Sequence, residues 1–105
     1  GRLEEAAGLV DRLAADARFG LINRWQAEWN LARALQATGR DGVNRAYLRV
    51  NRLLADGDGS RLPLQLFVRM AWLQARLAYE QGEPARALDL ARMVRGTFGQ
   101  LEDPF

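Results

Sequence analysis

Two series of side chains stand out for the chemistry they could carry. Trp29, Arg33 and Gln36 form one, and Trp72, Arg76 and Tyr79 the other; in each, an Arg follows the Trp by four residues and a polar or aromatic residue follows three later. On a helix such positions share one face, so each series is presented together. Asn30 lies beside the first and Arg69 beside the second. Trp, Tyr and Arg concentrate binding energy at interfaces, and a guanidinium grips a carboxylate through two parallel N–H donors. The implied chemistry is capture of a peptide or protein segment of acidic character. The same residues have a structural use, which stays open at this level. Trp29 and Trp72 would pack between helices, with Arg33 and Arg76 reaching to water or pairing with Glu28, Glu80 or Glu83.

Catalysis finds little support. The chain has no histidine, cysteine or lysine, so Ser60, Thr38, Thr97 and the two tyrosines lack the usual activating base. Carboxylate pairs such as Glu4 with Glu5, or Asp56 with Asp58, fall where a helix start or a loop accounts for them. No enzyme activity, metal or cofactor is expected. The run Asp56-Gly57-Asp58-Gly59-Ser60 has a calcium-loop flavour, but it leads into Leu62-Pro63-Leu64 instead of supplying further oxygen ligands. All 15 basic residues are arginine, against 13 acids, for a formal charge of +2. They are spread from Arg2 to Arg95 with acids interleaved, which opposes a nucleic-acid or membrane arm. No apolar run approaches the roughly 18 to 20 residues that span a bilayer.

Apolar periodicity of 3.6 residues predicts five helices, over about 3–17, 21–38, 43–55, 62–81 and 84–96. The first turns inward Leu3, Ala6, Val10, Leu13, Ala14 and Ala17. The second turns Ile22, Trp25, Trp29, Ala32 and Leu35, with Leu31 and Ala34 widening the stripe and Trp25 placed in the core. The third turns Val43, Ala46, Tyr47, Val50, Leu53 and Leu54, and the fifth Ala87, Leu88, Ala91 and Val94. Phe19-Gly20, Gly39 and Gly82 are the expected breaks, Asp41 an expected N-cap, and Pro63 and Pro84 expected first-turn residues. Phe98 and Leu101 are expected to lie against the last helix, ahead of Asp103-Pro104-Phe105. Five helices joined by short turns predict an all-α antiparallel array.

The array has an internal period. Trp29, Ala32, Arg33 and Gly39 recur 43 residues later as Trp72, Ala75, Arg76 and Gly82. With Ala78, Glu83, Ala87, Ala91 and Val94 this pattern resembles the tetratricopeptide repeat. Leu31, Ala32, Leu35 and Gly39 carry a middle copy, and Gly1, Leu3, Ala6, Val10 and Leu13 the second helix of an earlier one. The repeats are degenerate: the marker glycines are 38 and then 43 residues apart, against 34 in an ideal repeat, and Asn44 stands where a small residue belongs. The resemblance implies a TPR-like superhelix whose first helices line a concave groove. Trp29, Asn30, Arg33, Gln36, Arg69, Trp72, Arg76 and Tyr79 would face that groove and bind a protein or peptide, with adjoining repeats of the same chain as further partners. The whole would be one domain, expected to be a piece of a longer array. In its arginine-rich style the chain is similar to repeat arrays of bacterial envelope scaffolds, including those of exopolysaccharide export machines. Cytoplasm and periplasm both fit. The alternatives are a spacer between repeats with no groove ligand and a helical domain that binds nucleic acid.

Overall fold

The computed structural model of the protein describes residues 1–16, 18–56 and 61–98, except the side chains of 97 and 98. These residues form an all-α fold: α1 (Arg2–Ala14), α2 (Leu21–Gln36), α3 (Arg40–Ala55), α4 (Leu64–Glu80) and α5 (Pro84–Phe98), with no strand among them. The expected positions Ala17, 57–60, Leu101 and 103–105, and the Phe98 side chain, lie outside the described part.

Glycine sets the breaks. Gly20, Gly39 and Gly82 have φ of 84°, 103° and 93°, a region glycine enters without the Cβ penalty, and they stand immediately before α2, before α3 and in the α4–α5 turn. Several bounds differ from the periodic reading, each for a local reason. The first helix ends at Ala14 rather than 17, because Asp16 accepts the Arg18 backbone N–H at 2.9 Å and so offers the chain a turn in place of another helical bond. The second ends at Gln36; there the Thr38 hydroxyl donates to the Leu35 carbonyl at 2.7 Å. The third begins at Arg40, so Asp41 is a first-turn residue favourable to the helix dipole and Gly39 takes the N-cap position. Pro63 is likewise the N-cap of α4 instead of a first-turn residue. Gly96 lacks a positive φ, and α5 continues through it to Phe98.

Contacts across the fold show how the helices are arranged. Consecutive helices pack against each other, and α2 also meets α4. The pairs Arg49 with Glu28 and Arg24 with Asp56 run α3 antiparallel to α2. α1 runs parallel to α3, and α2 to α4. Arg45 with Glu4 and Arg49 with Asp11 join α3 to α1 across 41 and 38 residues, while Gln36 with Glu80 joins α2 to α4 across 44. These lateral links span 38 to 44 residues, close to the 43-residue period of the sequence. This is how a stack of helix pairs packs.

All five helices contribute to one main core. Trp25, Leu35, Val50, Met70, Leu73 and Leu77 are fully buried, and the Trp25 ring sits 6.1 Å from that of Phe67 at a tilt of 33°. Trp25 therefore occupies the expected core position. Gly42 admits the close approach of α3 to α2, since a Cβ there would lie 2.0 Å from the Leu35 carbonyl oxygen. Three inward assignments fail, and two of them, Ile22 and Leu88, are about half exposed. In α5 the buried stripe is Ala87, Leu90 and Val94, and Leu88 lies about 100° round the helix from Ala87, on the side away from Leu90 and Val94. Ala34 is also exposed.

Candidate functional site

The parallel register of α2 and α4 assembles a site that neither helix holds alone. Trp29 is half-buried against the main core, and two guanidinium groups approach its ring. Arg33 Cζ, one turn along α2, lies 5.8 Å from the ring centroid; Arg69 Cζ, from α4, lies 5.5 Å from it. Both fall within the range where a cation is drawn to the indole quadrupole. Arg33 and Arg69 are exposed, and among the described residues neither has a carboxylate at ion-pair distance. Asn30 is exposed on the adjoining surface of α2. Two cations are thus held by an aromatic ring while their donors remain available, which suits an incoming carboxylate.

Further along the same pair of helices the expected residues are already engaged. The Gln36 amide donates to both carboxylate oxygens of Glu80, the longer bond at 3.0 Å, and Arg76 Nε is 3.8 Å from Glu80 Oε2. Arg76 is paired within its own helix and no cation stands over Trp72 among the described residues. Trp72 is half-buried and packs against Val68, Ala71 and Val94, at the interface of α4 with α5. Tyr79 is 68% exposed. The two series that look alike in sequence therefore differ in structure: Trp29 and Arg33 gather a third residue from the neighbouring helix, whereas Trp72 turns toward α5 and Arg76 toward Glu80.

A second polar centre escaped the sequence reading. Glu28 is 7% exposed on the core side of α2, and Arg49 of α3 holds it through two bonds, Nη2 to Oε1 at 2.8 Å and Nε to Oε2 at 3.1 Å. The same Nη2 donates to Asp11 of α1 at 2.9 Å, so one guanidinium clamps three helices. Burial works against the charge on Arg49, but its hydrogen bonds to Glu28 and Asp11 outweigh that and hold its pKa above the ordinary value. A cavity of about 90 Å³ adjoins the clamp, lined also by Arg24, Arg52 and Leu53. One signal was present in the sequence. Glu28 falls three residues after Trp25 and seven before Leu35, inside an otherwise apolar stripe, where an acid requires a buried partner. Its partner is Arg49 and not Arg33.

Among the described residues no group of acids could hold a metal ion, and no helix is long and apolar enough to cross a membrane. The fold and site together define an all-α stack of helix pairs with a cationic aromatic patch on one layer. Comparison with family models, with curated proteins and with solved structures gave no match.

Proposed function

We propose that the protein is a TPR-like interaction module whose α2 and α4 form a shallow receptor surface for an acidic peptide or protein segment. The observation that carries this reading is the convergence of Arg33 and Arg69 on Trp29 from two helices. Several arginines in this chain pair with nearby acids, as Arg18 does with Asp16 and Arg45 with Glu4. Arg33 and Arg69 instead rest on an indole and keep their hydrogen-bonding edges for another molecule. The side-by-side register of helices two apart supports the repeat assignment.

The test is fluorescence anisotropy with a fluorescein-labelled hexaglutamate peptide, beside thermal melts. Replacing Arg33 and Arg69 together by Ala is expected to weaken binding about tenfold or more, as loss of a two-residue hot spot does. Melting should move little, because both side chains are exposed. Unchanged affinity in the double variant, or equally tight binding of hexalysine, refutes the reading.

A further inference from the structure

We infer that Glu80 is a specificity determinant of this surface: a built-in carboxylate that occupies the second cationic position and confines an acidic ligand to the first. The inference rests on the receptor reading above and names a residue which that reading does not use. Arg33 and Arg76 are equivalent by the 43-residue period, and so are the positions four residues after them, Ala37 and Glu80. The position one turn after Arg33 thus carries a methyl group where the one after Arg76 carries a carboxylate. Of the Arg76 and Glu80 side chains, 57% and 27% of the surface is exposed, so the pair lies open on the same layer as the Trp29 site. Gln36 completes it from α2, donating to both Glu80 oxygens. The result is an arginine and an amide arranged around a carboxylate that the protein itself supplies.

The consequence for a ligand is directional. A segment laid along α2 and α4 meets Arg33 and Arg69 first and the Glu80 carboxylate second. An acidic residue at the second position would have to displace Glu80 from Gln36 and Arg76 or sit beside it, and like charges so placed repel. A neutral or basic residue meets no such opposition. The ligand class is thus a segment with one acidic cluster followed by a non-acidic stretch, rather than a uniformly acidic tail.

The test is a thermodynamic cycle on hexaglutamate binding, with wild type, E80A, E80Q, R76A and the E80A/R76A pair, and E83A as a control for general charge. Removing Glu80 should tighten binding about fivefold, the scale of one exposed charge pair. E80Q, which keeps a hydrogen-bonding side chain, should give a gain in the same direction. In the R76A background the gain should shrink, because the repulsion is relieved but no cation is uncovered, and E83A should change affinity less than twofold. Equal gains from E80A and E83A, or a gain undiminished without Arg76, overturn the inference. The outcomes separate it from the reading beneath it. If the Arg33 and Arg69 variant loses binding while E80A and E80Q leave it unchanged, only the Glu80 assignment falls; if hexaglutamate binds none of the proteins, both fall.

Discussion

Replacing Arg49 by Met keeps most of the apolar stem and removes the charge that holds Glu28 inside the fold. Breaking a fully buried pair by removing one partner costs roughly 3 to 5 kcal/mol, since the remaining charge is left without compensation. Two features lower the figure here. The Arg49 side chain keeps 16% of its surface exposed, and the cavity of about 90 Å³ gives the stranded carboxylate room for water. We expect a loss of about 2 to 3 kcal/mol, which for a domain of this size lowers the melting temperature by about 10 to 20 °C. The assay is urea denaturation followed by helical circular dichroism, comparing R49M with D11A and with the E28M/R49M pair. Asp11 is 62% exposed, so its loss should cost under about 1 kcal/mol. The double variant should recover most of the stability, because it removes both charges and leaves apolar volume in their place. A loss in R49M no larger than in D11A would refute the view that one guanidinium holds three helices through a buried acid.

Glycines at two helical positions should respond in opposite directions. G42A forces a methyl group onto the Leu35 carbonyl of α2 and is expected to cost more than about 2 kcal/mol, whereas G8A on α1 meets nothing closer than an arginine nitrogen at 3.7 Å and should gain about 0.5 to 1 kcal/mol; midpoints of urea unfolding decide both. Hydrogen bonds from the Arg18 side chain and backbone hold the Asp16 carboxyl below its ordinary pKa of 3.8. Because the folded value is depressed, the contribution of this turn is present above that pH and is lost as pH falls through the folded value. A carboxyl-carbon NMR titration should place the Asp16 midpoint below its ordinary value, and R18A should raise it.

Fold class was legible because it rests on local signals that repeat: apolar periodicity, three glycines that need positive φ, and a 43-residue recurrence. The helix ends were less so, since they depend on competition between single hydrogen bonds, such as that of Asp16 with the next helical turn. The series around Trp29 could be read in part. Spacing along one helix places Arg33 with Trp29, but Arg69 joins them only through the lateral packing of α2 on α4, which no local pattern encodes. The same limit hid the difference between the two tryptophans, for whether Trp72 turns to α5 is decided by Val94, far along the chain. The clamp shows the converse. Its acid was visible as a misfit in an apolar stripe, while its arginine was one of 15 and had nothing to mark it.

The uneven depth of the helices has a kinetic side. Val10 is the one buried residue of α1 among those described, whereas α4 contributes seven. Besides its half-buried Leu3, Ala6 and Ala7, α1 is tied to α3 by two ion pairs, Glu4 with Arg45 and Asp11 with Arg49, in which both acids are well exposed to solvent and therefore to screening. Amide protons of α1 should thus exchange with solvent through a local opening in which the helix lifts away while α2 to α5 stay folded, and the free energy of that opening should fall as salt is added. Those of α4 should exchange only when the whole molecule unfolds, with a larger free energy of opening than α1 shows.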